Sequence, residues 1–228
     1  SILEGQEIEL SEEENQLLEG HKVDDEFVFN DYVPEGERVR SERVLQDRIE
    51  VRSDVARRAF ANGRFLASRE VFESILLEHP GHVPTKLNLG VVHLRLKDPR
   101  MAVSEFTEAL AIRPDLPYAE FMLGVAQYHL GELENARSQI KHSLAGHPHN
   151  AKAYVFLGTI DGLQGRIPLA QTHFEKAIEI DPTLSDPYYN LAVLSQQRGA
   201  KGEALNYYRQ AVTNGADPDL NFEKLLEQ

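Results

Sequence analysis

The sequence predicts an all-α fold assembled from five consecutive helical hairpins, and three observations lead there. Several residue columns repeat together every 34 positions, glycine and proline recur where helices must stop, and small residues recur where two helices must approach. Proline stands at Pro80, Pro114, Pro148 and Pro182, and glycine at Gly63, Gly131, Gly165 and Gly199, with Lys97 in the one gap. Leu-small pairs stand at Leu89-Gly90, Leu123-Gly124, Leu157-Gly158 and Leu191-Ala192, after Val55-Ala56. Alanine recurs at Ala102, Ala136, Ala170 and Ala204, a large apolar residue at Phe72, Phe106, Ile140, Phe174 and Tyr208, and alanine again at Ala109, Ala177 and Ala211. So many columns in one register are the mark of a tandem repeat.

Each column has a physical reason. Gly90, Gly124 and Gly158 let the two helices of one hairpin come close, and the later alanine column does the same from the second helix. The large apolar column fills the space between one hairpin and the next. The glycine column ends each first helix, because glycine enters the left-handed conformation without steric cost. The proline column follows each second helix and stops its continuation. Asp98-Pro99 supplies an N-cap followed by proline at the first helical position, and Pro117 and Pro187 mark similar starts. About residues 37–62 read as one long first helix with Val39, Val44, Leu45, Ile49 and Val55 on its apolar side. Residues 219–228, with Leu220, Phe222, Leu225 and Leu226, read as a capping helix, which an array needs because each repeat buries its face only against neighbours.

These columns resemble the tetratricopeptide repeat family over about residues 49–218, in units 49–82, 83–116, 117–150, 151–184 and 185–218 within a domain of 37–218. The resemblance implies a right-handed superhelical array of hairpins, a solenoid whose first helices line a concave groove that takes a peptide or helical segment of a partner protein. Inward-facing family positions fall here on Arg57, Phe60, Leu87, Val91, Arg95, Tyr118, Phe121, Val125, Tyr128, Val155, Tyr189 and Val193. The pattern departs from the family at the early aromatic of the first helix, which is Arg52, Lys86 and Glu120 in three units and then Tyr154 and Tyr188. Its mid-helix tyrosine becomes Ala59, His93, Gln127, Asp161 and Ser195. These departures suggest loosely specified contacts between first helices. A subgroup that grips chaperone tails uses lysine and asparagine at set positions; only Asn88 and Asn190 fall on them, beside the wrong companions, so that ligand is disfavoured.

The net charge of −13 is uneven. Residues 1–36 hold twelve acids against Lys22, a net of −11, which leaves −2 for the rest. That sign disfavours nucleic acid, which needs a basic face. The leader divides into a short helix after Ser11 and an extended strip through Asp24–Pro34. Phe27, Phe29 and Tyr32 are its candidate anchors, docking on this array or on a neighbouring copy; docking on a neighbour makes a homo-oligomer. The alternative is a solvated acidic tail.

No window approaches the roughly 18 apolar residues that span a bilayer, so no direct membrane insertion is expected. The sequence opens at Ser1 without a charged-then-apolar leader, as a mature or excised form does. With no cysteine, disulfides and thiolate sites are excluded, while cytoplasmic and periplasmic or envelope compartments stay open. His142, His147 and His149 cluster at a turn but lack a completing acid, so no metal is expected. His93 and Asp161 share a repeat column and are read as hydrogen-bonded structural groups between helices. No phosphate loop, nucleophile elbow or HExxH occurs. The expectation is a non-catalytic interaction scaffold without cofactor, either free-standing, self-assembling through its leader, or the adaptor part of a longer enzyme or envelope-anchored protein.

Overall fold

The punctuation read from the sequence becomes eleven helices in the computed structural model, which describes residues 40–227. They are α1 Arg40–Ala61, α2 Phe65–Glu78, α3 Val83–Arg95, α4 Pro99–Ile112, α5 Pro117–His129, α6 Leu133–Gly146, α7 Ala151–Leu163, α8 Ile167–Ile180, α9 Ser185–Gln197, α10 Lys201–Thr213 and α11 Leu220–Glu227. No strand occurs among the described residues. The leader with Phe27, Phe29 and Tyr32 lies outside them. The chain forms two compact units, the first reaching Met122 and the second beginning at Leu123, inside α5. Within the first, α1 packs on α2, α2 on α3 and α3 on α4; within the second, α6 packs on α7 and each later helix on the one after it.

Every first helix ends in the same backbone device. Gly63, Gly131, Gly165 and Gly199 adopt φ of 71°, 78°, 73° and 77°. The next residue donates its N–H back over the turn, as Arg64 does to the Ala59 carbonyl (2.8 Å) and Arg166 to the Asp161 carbonyl (2.8 Å). This is the glycine-ended C-cap in which the backbone satisfies its own last carbonyls. Lys97 takes the same conformation, φ 60°, and Asp98 donates to the His93 carbonyl at 2.8 Å. A β-carbon in that region costs about 1–2 kcal/mol. The α4 start is built as read: Asp98 accepts from the Met101 N–H at 3.3 Å, and Pro99 occupies the first turn.

The small column sets how closely the helices of a hairpin pack. A β-carbon on Gly90 would stand 2.6 Å from the Phe106 ring, one on Gly124 2.6 Å from Ile140, and one on Gly158 2.6 Å from the Phe174 ring. The large apolar column therefore closes its own hairpin against the glycine. It also meets the next hairpin, as Phe174 joins Ala170, Leu191 and Leu194 in one core cluster. Burying such a ring contributes roughly 2–3 kcal/mol. At the far end Phe222 and Leu226 of α11 pack on Ala192, Ala204 and Tyr208. The Tyr208 hydroxyl donates to the Asp219 carbonyl (3.1 Å) and accepts from the Asp219 N–H (2.7 Å), which anchors α11.

Candidate functional site

In three units the position of the early first-helix aromatic is engaged with its own hairpin. Arg52 donates to Ser74 (2.8 Å) and Glu78 (2.9 Å) on α2. Lys86, buried on α3, reaches Glu108 at 2.6 Å and Glu105 at 3.8 Å on α4. Tyr154 lies beside the His173 ring, centroids 6.2 Å apart. One slot between the helices of a hairpin is thus filled by three different chemistries, each partnered. Burial holds the Glu105 carboxyl above its usual range, and Lys86 opposes that; the hydrogen bond from Lys86 holds Glu108 below its own.

The candidate groove residues divide by depth. In the first unit Leu87, Val91 and Phe121 are buried, as is Phe60, whose ring meets Phe65 edge-on at 5.1 Å. The exposed Arg95 guanidinium stands 5.8 Å over the same Phe60 ring. Arg57 is half-buried and pairs with Asp54 one turn away, and Tyr118 is half-buried on α5. In the second unit Val125 is buried, while Tyr128, Val155, Tyr189 and Val193 are half-buried. Tyr128 meets Phe156 edge-on at 5.5 Å, and Val155 packs on the Phe174 cluster. Tyr189 lies under Phe222 of α11, centroids 5.6 Å apart. Burial, reinforced by the Asp219 carboxylate, raises its phenol above the ordinary range. Asn88, a position of the chaperone-tail pattern, is buried.

One constellation was legible only as a column. Asp161 on α7 is 0% exposed. Its Oδ1 accepts from Arg137 Nε of α6 at 2.9 Å and from Arg166 Nε, just before α8, at 2.7 Å. His173 Nδ1 of α8 lies 3.0 Å from Oδ2, within ion-pair range but not aligned for a hydrogen bond. Burial pushes the carboxyl up, but the hydrogen bonds from Arg166 and Arg137 outweigh it and hold it below the usual value of 3.8. Burial lowers His173 despite Asp161. Its hydrogen bonds join α6, α7 and the turn into α8, which is the chemistry of a structural tie. Among the described residues no cluster of histidines and acids has metal-binding geometry, and no helix is long and apolar enough to cross a membrane.

Comparison with known proteins agrees with this architecture. Family profiles described as tetratricopeptide repeat match residues 54–117, 87–151, 151–184 and 173–206, together more than half of the chain. A curated relative, protein FlbA of Caulobacter vibrioides, is 26% identical over 157 residues, covering 69% of this chain and 26% of its own length. The chain spans about a quarter or less of the curated relatives it matches. A thermophilic TPR protein of Thermus thermophilus superposes with a TM-score of 0.64 at 22% identity, over 78% of this chain and 97% of that one. PilF of Pseudomonas aeruginosa superposes with a TM-score of 0.69 at 18% identity, over 80% and 86%. At those identities the solved structures speak for the fold alone.

Proposed function

Because the chain belongs to the tetratricopeptide repeat family, we propose that it is a non-catalytic scaffold whose first helices hold an extended or helical segment of a partner protein. The supporting observation is what remains accessible on those helices after packing. In the second unit Tyr128, Val155 and Val193 are half-buried apolar or aromatic side chains; in the first, Tyr118 and Arg57 are half-buried and Arg95 is exposed. Leu87, Val91 and Phe121 in the first unit and Val125 in the second are buried. Covering an apolar side chain fully contributes roughly 1.5–3 kcal/mol, and association costs absorb much of it, so affinity in the micromolar range is expected.

The test compares wild type with a Tyr128→Ser, Val193→Ser double variant and with Arg95→Glu, at matched helicity by circular dichroism. Partners recovered by affinity capture should fall in yield with both variants. Equal recovery by all three proteins would remove the first-helix surface from consideration.

A second reading rests on the charge of residues 1–36, a net −11 with Phe27, Phe29 and Tyr32 among the acids. The leader is then itself the occupant, on its own array or on a neighbouring copy. Light scattering with and without residues 1–36 separates the two, since a mass unchanged by the deletion leaves no role for the leader in assembly. The length of the matched relatives favours a third setting for the same surface, the adaptor part of a longer enzyme or envelope-anchored protein.

A further inference from the structure

His93 and Asp161 hold the same position in hairpins two repeats apart, and the groups around them correspond with charge largely inverted. Around Asp161 and His173 stand Arg137, Lys141 and Arg166; two repeats earlier the same positions carry Arg69, Glu73 and Asp98, with Glu105 in the place of His173. The two slots differ in how the buried atom is partnered. Asp161 Oδ1 accepts two guanidinium N–H groups. His93 is 4% exposed, and its Nε2 has no hydrogen-bond partner. The Arg69 Nε, which corresponds to the Arg137 donor, also lacks one; its nearest acid is Glu73 at 3.5 Å.

We infer that His93 is an acid-sensitive latch: neutral, it lets α3 pack against α2 and α4, and a proton on it places a buried cation beside Arg69 and loosens that packing. The groups facing it are Arg69 and Glu73 from α2 and Asp98 from the turn into α4. On α4, Glu105 shares Glu73 as a neighbour and is drawn towards Lys86. Both acids facing His93 are already engaged, Glu73 with Arg69 and Asp98 as the cap of α4, and both are exposed to solvent, which screens them. An unpaired buried cation is costly, so burial prevails. His173 is lowered by burial as well, but it lies in another hairpin and the Asp161 carboxylate, 3.0 Å away, opposes the shift directly.

The sign follows from direction. Burial lowers His93 below its usual 6.5, Asp98 and Glu73 oppose that, and Arg69 reinforces it. A histidine lowered by folding contributes stability that is present above the unfolded value near 6.5 and is lost as pH falls below it. Glu105, raised by burial, acts in the opposite sense, so the measurement is a comparison between variants.

Hydrogen exchange on the full chain, corrected for intrinsic rate, is followed at about pH 7.5 and about pH 5.5, which straddle the unperturbed histidine value. The expected result is a loss of protection in residues 83–95 on acidification, abolished in His93→Gln and reduced in Arg69→Gln, and retained in His82→Gln and His173→Gln. The inference is overturned if His93→Gln keeps the wild-type acid response, or if His82→Gln or His173→Gln removes it. Should His93→Gln fail to fold, Arg69→Gln decides: an undiminished acid response in that variant overturns the latch.

Discussion

Arg137 Nε on α6 stands 2.9 Å from Oδ1 of Asp161 on α7, so the second helix of one hairpin is tied to the first helix of the next through a fully buried carboxylate. Arg166 completes the tie from the turn into α8. Asp161→Ala removes the acceptor shared by the two Nε atoms, leaving Arg166 its bonds to Glu134 and Gln164. Both guanidinium groups retain partial access to water, so the loss is expected at about 2–3 kcal/mol, below the largest values for a broken buried pair. Urea denaturation measures it.

The same tie has a pH signature. Asp161 is held below its usual 3.8 in the folded chain, so its contribution is present above that value and is lost as pH falls through the folded value. The stability gap between wild type and Asp161→Asn should therefore hold or widen from neutral pH down to about 4, because a protonated His173 gains from the carboxylate, and narrow below it. A gap that closes between pH 7 and 5 would contradict the assignment of that carboxylate as ionised and paired.

Gly158→Ala should destabilise the chain by about 1–3 kcal/mol, because its β-carbon meets a Phe174 ring that is 2% exposed and packed on its other side. Gly202→Ala is the matched control. Nothing lies within 4 Å of its β-carbon, and removing glycine's unfolded-state freedom should stabilise by about 0.4–1 kcal/mol. Thermal melts of the two variants should move in opposite directions.

Lys97→Gly should stabilise. The lysine's left-handed backbone costs about 1–2 kcal/mol, and glycine's larger unfolded entropy returns about 0.5–1 kcal/mol of that. The net gain expected in denaturant titration is about 0.5–1 kcal/mol, and Lys97→Ala should show none of it.

Tyr208→Phe removes a hydroxyl that both donates to and accepts from the Asp219 backbone. The expected cost is about 1–2 kcal/mol. It should appear locally, as faster amide exchange in residues 220–227, before it appears in the global melt.

The fold was legible because its information is periodic and backbone-directed. A glycine every 34 residues states where a helix ends, and Lys97 betrays its conformation by standing in that column. The small column likewise stated which helices touch. Depth was not legible. The inward positions of the repeat name a direction, yet Leu87 and Val91 are buried while Val193 is half-buried, because depth depends on which neighbouring side chains arrive to cover each site. Tyr189 illustrates this: its cover, Phe222, comes from outside the repeats. The Asp161 tie was visible only as an odd residue in a tyrosine column, since its partners Arg137, Arg166 and His173 come from three separate stretches of chain.

The turn that closes each first helix is shared backbone geometry, a left-handed residue followed by an N–H returned to a carbonyl of the helix, and the same pattern recurs at Gly215 after α10. Helix endpoints are thus insulated from the identity of surface side chains. Substitutions over the exposed faces of the first helices can therefore accumulate while the turns that end those helices stay intact. Surface chemistry and folding are in this respect separately adjustable.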